Sequence, residues 1–295
     1  MASKNVYSPL RYPGGKAVFS GFLKDVIDLN GMEGCTYCEA YAGGAGAALD
    51  LLISKKARNI WLNDIDFHIF SFWNSILNNT AEFIQKVRET DVDIDNWLIQ
   101  QNIYLNPENF TEFEVGFSTF FLNRCNRSGI LTKAGPIGGM EQNGNYLIDA
   151  RYNKKDLIGR ISLIARYSEN IQIFNLDAID FINRINTNLN IDNILLYLDP
   201  PYYKKGKTLY LNFYQHQDHI NIANKLIETE ILKWIVSYDN VSEIQEIYSR
   251  FRTTSFNLNY SLQETKKGSE LMIFSNEIRV PEFLYIGKQV FETEF

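Results

Sequence analysis

The sequence predicts an α/β protein: a mostly parallel sheet with an antiparallel strand pair near the C-terminus and a long insertion in its middle. Three observations carry that reading. Short apolar runs alternate with stretches of helical period along most of the chain. A glycine-rich turn, Tyr41 to Gly46, joins an early strand to a helix. Ile194-Leu195-Leu196-Tyr197-Leu198 is a run of five apolar residues, too short for a buried helix, that stops at Asp199-Pro200-Pro201. With 295 residues, 45% of them hydrophobic, the chain can fill the core of one large domain with an insertion, or of two domains.

Taken in order, Pro9 to Lys16 (PLRYPGGK) reads as a loop punctuated by proline and glycine, ahead of an amphipathic stretch from Ala17 to Leu29. Cys35 to Ala40 is a strand, and Tyr41 to Ile53 turns from glycines into a helix. Small residues there let a backbone approach a ligand, and the helix start offers free N–H groups. Such a loop suits several nucleotides, a dinucleotide included. The next strand, Asn59 to Leu62, leads to Asp64, about 20 residues past the glycines, the spacing at which an acid reaches a ribose hydroxyl pair. Phe67 to Val87 has one helical period. Later come strand Ile171 to Phe174, Asp177 at a strand-to-helix turn, helix Ile179 to Ile185, helix Asp218 to Leu226 and strand Trp234 to Ser237. Thr253 to Tyr260 and Glu270 to Phe274 read as the antiparallel pair that finishes the fold. Asp177 suits a helix N-cap, or an acceptor for an adenine amine.

Net charge is −6, but the sign is uneven. Residues 80–115 hold eight acids and two bases, whereas residues 121–167 hold eight bases and three acids, a net of +5. That basic stretch, aromatic at Phe117 to Arg127 and then rich in glycine and polar residues, predicts a nucleic-acid surface. Its bases would neutralise phosphates, and Asn123, Asn126, Asn143 and Asn145 would read groove edges. No run reaches the roughly 18 apolar residues of a membrane span, and the first residues lack a signal peptide's apolar core, so a cytoplasmic protein is expected. Three cysteines, Cys35, Cys38 and Cys125, fit a reducing compartment and core packing, and His68, His216 and His219 show no metal-ligand spacing.

The Asp199-Pro200-Pro201-Tyr202 block carries the chemistry. The prolines fix an extended turn without N–H donors, leaving carbonyls free at the carboxyl end of a strand, where open α/β sheets bind ligands. The Asp199 carboxylate and the Pro200 carbonyl can accept both N–H bonds of a ring amine while Tyr202 stacks on the ring. Beyond it, Lys204, Lys205 and Lys207, interleaved with Tyr210, Phe213 and Tyr214, read either as a solvated loop or as a clamp on a nucleic-acid backbone.

In order along the chain, PLRYPGGK, EAYAGGAGAALDLL, LNDIDFHIF, FLNRCNRSGI, Asn175-Leu176-Asp177, LDPPYY and ETKKGSELMIFS resemble the Dam-like family of DNA N6-adenine methyltransferases. The resemblance implies a Rossmann-like methyltransferase sheet formed by residues 1–79 and 166–295, with residues 80–165 as an inserted DNA target-recognition region. It implies S-adenosylmethionine as cofactor, bound by Tyr12, Lys16, the loop Tyr41, Ala42, Gly43, Gly44, Ala45 and Gly46, by Asp64 at the ribose and Asp177 at the adenine, and by Ile65, Ala178 and Asp199. Asp199, Pro200, Pro201 and Tyr202 would be catalytic. Double-stranded DNA would meet Lys16, Asn123, Arg124, Asn126, Arg127, Lys133, Lys204, Lys205 and Lys207, with a cognate restriction nuclease as a further partner. No metal is expected. Two departures stand out: the family's F-x-G-x-G becomes Tyr41-Ala42-Gly43-Gly44-Ala45-Gly46, and its N-R-x-G-x-N-G loop becomes Asn123-Arg124-Cys125-Asn126-Arg127-Ser128-Gly129. The competing readings are an RNA or protein amino-group methyltransferase and an inactive DNA-binding module on the same fold.

Overall fold

The computed structural model describes residues 6–11, 16–188, 193–204, 214–262, 264–286 and 289–293, with the backbone alone for 257–268 and 286. Tyr12, Lys205, Lys207, Tyr210 and Phe213 lie outside the described residues.

A seven-stranded sheet forms the centre, in the order β3-β2-β1-β4-β5-β7-β6. The strands are β1 (Cys35–Glu39), β2 (Ala57–Asn63), β3 (Ile171–Phe174), β4 (Ile194–Leu198), β5 (Trp234–Asp239), β6 (Arg252–Leu262) and β7 (Glu264–Phe274). The first five pair in parallel, and β7 runs antiparallel to both β5 and β6. The expected antiparallel pair is therefore present, but longer. Leu262 already pairs with Glu264, so the strands run on through most of residues 261–269, between the two expected segments. A two-stranded hairpin, β8 (Phe283–Ile286) with β9 (Gln289–Glu292), follows and was not foreseen.

The helices are α1 (Ser20–Leu29), α2 (Gly46–Ile53), α3 (Phe67–Asn78), α4 (Thr80–Glu89), α5 (Ile94–Leu105), α6 (Glu112–Cys125), α7 (Lys154–Ala165), α8 (Ala178–Asn186), α9 (His216–Glu228) and α10 (Ser242–Ile247). The single helix expected from Phe67 to Val87 is two: Asn79 leaves helical geometry at φ −124°, ψ 36°, between α3 and α4. Asn competes for backbone bonds and favours such breaks.

Alternation along the strands splits the core between the two sheet faces. Cys35, Tyr37, Leu195, Tyr197, Ile235 and Met272 face one cluster, with α1, α2 and α3, whereas Cys38, Leu196, Leu198, Val236, Tyr238 and Ile273 face the other, with α8 and α9. Both clusters are buried, which explains why β4 reads as a continuous apolar run. Helices α4 to α7 share the first cluster: Phe83, Trp97, Phe117, Phe120 and Leu157 belong to the same buried group as Leu49, Ile60 and Phe72. The sheet order reverses between β1 and β4, and at that point two loops open side by side at the carboxyl ends of the strands.

Candidate active site

The loop after β1 is shaped by backbone conformation. Gly43 and Ala45 both take positive φ, at 46° and 47°, and the turn closes through Ala45 N–H to the Ala42 carbonyl at 2.7 Å. The departures from F-x-G-x-G now have a physical account. Ala45 adopts the left-handed conformation that glycine holds more cheaply. A Cβ on Gly46 would stand only 2.9 Å from Cβ of Ala17, so Gly46 lets the N-terminal segment pack tightly on the start of α2. That packing carries the neighbouring Lys16 to the site.

Asp64, at the end of β2, accepts from Gly43 N–H at 2.8 Å and from Asp66 N–H at 3.0 Å. Burial and the charge of Asp66 push its carboxyl up to about 7, against the pull of those two donors. Trp73 donates its indole N–H to the Gly43 carbonyl at 2.8 Å. Asn63 was not foreseen, yet its buried amide ties three loops together. It donates to the carbonyls of Ala40 and Leu176 and accepts from Leu176 N–H, each at 3.0 Å. Asp177 caps α8 through Ile179 N–H at 2.8 Å and is exposed, with Ala178 after it buried; the exposed Ile65 is tied to the same turn by Asn175, whose amide donates to the Asp64 and Ile65 carbonyls at 2.8 and 3.0 Å. Tyr41 meets Tyr214 hydroxyl to hydroxyl at 2.8 Å. An acid at the end of β2, a second at the start of α8 and a backbone-lined loop after β1 give the donors and acceptors that an adenosine with a charged tail needs.

The turn after β4 is held by side chains instead. Oδ1 of Asp199 accepts from Ser237 Oγ–H at 2.8 Å, and Ser237 in turn meets the Tyr197 hydroxyl at 2.9 Å. The Lys16 ammonium forms an ion pair with the same Oδ1 at 3.1 Å and lies 3.7 Å from Glu270 Oε2. Burial works against the charge on Lys16, but Asp199 and Glu270 outweigh it and hold the ammonium above the ordinary lysine range. Lys16 also donates to the Tyr202 hydroxyl at 2.9 Å, and that hydroxyl donates to Glu270 Oε1. Beyond the prolines, Tyr203 N–H and Lys204 N–H donate to the two oxygens of Asp239, at 2.8 and 3.0 Å. Among the described residues, Asp199 Oδ2 and the Pro200 carbonyl accept no hydrogen bond.

Three of the residues expected at DNA are corrected by their surroundings. Asn123 is 1% exposed; its amide bonds the Arg11 and Gly129 carbonyls and accepts from Arg11 N–H. Asn126 is equally buried, accepting from Trp97 and donating to the Ile130 carbonyl. Arg124 is 8% exposed and donates to the Arg151 and Pro9 carbonyls. A groove contact by any of them would first break these bonds. They brace the N-terminal loop against α6. Arg127, Lys133, Asn143, Asn145 and Lys204 are exposed. Tyr202 is 9% exposed, which leaves little ring free for stacking in this conformation.

Sequence reasoning missed Glu39, Asn63, Ser237, Asp239 and Glu270. All are buried polar residues in strands, Glu39, Asn63 and Asp239 at the last position of theirs, and in β5 the alternation of Ser237 and Asp239 with apolar residues was a signal. Among the described residues no group of three metal-ligating side chains occurs, and no helix is long and apolar enough to cross a membrane.

No curated protein matches the chain by sequence. Among solved structures it is similar to a Pyrococcus horikoshii protein proposed to be an RNA methyltransferase, at 12% identity and TM-score 0.40, over 90% of this chain and 85% of that one. It is also similar to the rRNA methyltransferase aviRa of Streptomyces viridochromogenes, at 10% identity and TM-score 0.39, over 90% and 86% of the two chains. A dimethyladenosine transferase of Plasmodium falciparum gives 12% identity and TM-score 0.35, over 91% and 63%. The family model of D12 class N6 adenine-specific DNA methyltransferases matches residues 12–262, a span that takes in the glycine loop, Asp64, Asp177 and the Asp-Pro-Pro-Tyr turn. With that match running from the N-terminal loop into β6, the chain belongs to the D12 class of N6 adenine-specific DNA methyltransferases, enzymes that draw their methyl group from S-adenosylmethionine.

Proposed function

We propose that this chain methylates adenine N6 at a specific sequence in double-stranded DNA, with Asp199 and Pro200 as the acceptors of the target amine. The observation that carries the assignment is the division of labour on Asp199: Ser237 and Lys16 hold Oδ1, and Oδ2 is left to accept. An amine inside a base stack is out of reach, so the adenine must be turned out of the duplex. Oδ2 and the Pro200 carbonyl then accept its two N–H bonds, localise the nitrogen lone pair and stabilise the positive charge that develops there. Tyr202, anchored through its hydroxyl, must present a ring face to hold the base.

Asp64 accepts from the cofactor ribose, Asp177 from its adenine amine, and the backbone of residues 41–46 lines its methionine portion. The sulfonium of S-adenosylmethionine supplies an activated methyl group, so positioning dominates the chemistry. Residues 1–79 and 166–295 form the catalytic portion in this reading, and residues 80–165 select the sequence. Arg127, Lys133 and Lys204, all exposed, remain candidates for the DNA backbone.

Incubation of the protein with labelled S-adenosylmethionine and unmethylated DNA, followed by nucleoside analysis, tests the proposal. The wild type should yield N6-methyladenine, and Asp199→Ala should lose at least about 100-fold in rate. Transfer to RNA with none to DNA would overturn it.

A further inference from the structure

We infer that Ser237 and Asp239 of β5, together with Glu270 of β7, are positioning residues that set the geometry of the Asp199–Tyr202 turn. The inference rests on the adenine-methylating reading of that turn and goes beyond its named residues.

The turn cannot hold itself. Pro200 and Pro201 supply no N–H, so no backbone ladder can fix this stretch once β4 ends at Leu198. The neighbouring strands continue where β4 stops. Leu198 pairs with Val236, and β5 runs on to Asp239, with Asp239 opposite Glu270 of β7. Paired residues share a face, and residues two apart on a strand share it too. Tyr197 pairs with Ile235, so Tyr197, Ser237, Asp239 and Glu270 all stand on one side of the sheet, with Asp199 following two residues after Tyr197.

Each of the three holds a different part of the turn. Ser237 donates to Oδ1 of Asp199 at 2.8 Å, and its own oxygen is fixed by the Tyr197 hydroxyl at 2.9 Å. That bond fixes the carboxylate rotation and turns Oδ2 toward the amine. Glu270 accepts from the Tyr202 hydroxyl, which sets the ring. Asp239 accepts from Tyr203 and Lys204 N–H, which closes the turn after the second proline. Ser237 is 0%, Glu270 1% and Asp239 5% exposed, too buried for any of them to touch DNA directly in this conformation. Burying polar groups in core strands is costly unless they are hydrogen-bonded, and each of these three makes such bonds to the turn.

The test compares Ser237→Ala, Glu270→Leu and Glu270→Gln with the wild type. Thermal unfolding and cofactor titration establish that each variant folds, and 2-aminopurine at the target position reports flipping by fluorescence. Ser237→Ala should lower kcat roughly 10- to 100-fold, the scale of a small misplacement of reacting groups, while KM for DNA stays within about threefold. Glu270→Leu should weaken the flipping signal, and Glu270→Gln, which keeps an acceptor for Tyr202, should restore most of it. Ser237→Ala with wild-type kcat, or Glu270→Leu and Glu270→Gln behaving alike, would overturn the inference. A wild type that methylates no DNA would instead bring down the reading beneath it, and this inference with it.

Discussion

The two loops that meet at the sheet reversal are built in opposite ways. The loop after β1 is shaped by its own backbone: Gly43 and Ala45 at positive φ, a tight turn at Ala42, and a glycine at 46 where a Cβ would strike Ala17. The turn after β4 has surrendered two backbone donors to proline and is held from outside, by Ser237, Asp239 and Glu270. Each suits its task. A backbone-lined pocket can approach a large ligand closely. A charged acceptor that must meet a small amine needs its rotation fixed by bonds to the acceptor itself.

The largest expected effect on the β1 side comes from Asp64→Ala. With Asp64 holding the ribose as proposed, losing two charge-assisted bonds should weaken cofactor binding about 100-fold by calorimetry, worth about 3 kcal/mol. A change under about threefold would break the comparison, because the loop would then not be where the ribose lies. The same carboxyl gives a pH test. It is pushed up to about 7, so below that pH it carries a proton and the acceptor is lost. Cofactor affinity should fall as pH drops through 7.

Glu39 joins the two loops electrostatically. It sits at the end of β1, 4% exposed, accepts from the Tyr37 hydroxyl at 3.0 Å, and is pushed up to about 8 by burial, with Asp199 adding to the shift. The folded chain thus keeps a proton between pH 4.5 and about 8 that the unfolded chain releases. Stability from this group is present at low pH and lost as pH rises through that window. Glu39→Gln should raise stability at pH 8 by on the order of 2 kcal/mol and leave it nearly unchanged at pH 4.5, read from urea midpoints. The smallest effect sharpens the backbone side. Ala45→Gly relieves a left-handed alanine and should stabilise the fold by under about 1 kcal/mol with an unchanged m-value.

β4 was legible because it is an unbroken apolar run stopped by prolines, as burial on both of its faces requires, whereas β1, β2 and β5 carry polar residues among their apolar ones. The place of Asp64 after β2 was legible from its spacing to the glycines, the N-cap at Asp177 from its strand-to-helix turn, and the turn after β4 from its two prolines. The break at Asn79 was not, since Phe67 to Val87 keeps its apolar period through it. Asn123, Arg124 and Asn126 look like a recognition surface by charge and amide content, and only packing reveals that their donors are spent on the carbonyls of Pro9, Arg11, Gly129, Ile130 and Arg151.

The sequence by itself determined where β3 and β4 run and that Asp199 stands at the carboxyl end of β4, because strand length, apolar run and proline stop are local properties. Only the tertiary structure decided which strand ends become neighbours. Placing β4 between β1 and β5, with β7 reversed beside β5, brings Lys16, Asp199, Ser237 and Glu270 together from four distant stretches of chain. The physical reason is that a carboxylate's orientation depends on donors reaching it through space, and strand order and register, which no local pattern states, decide which donors those are.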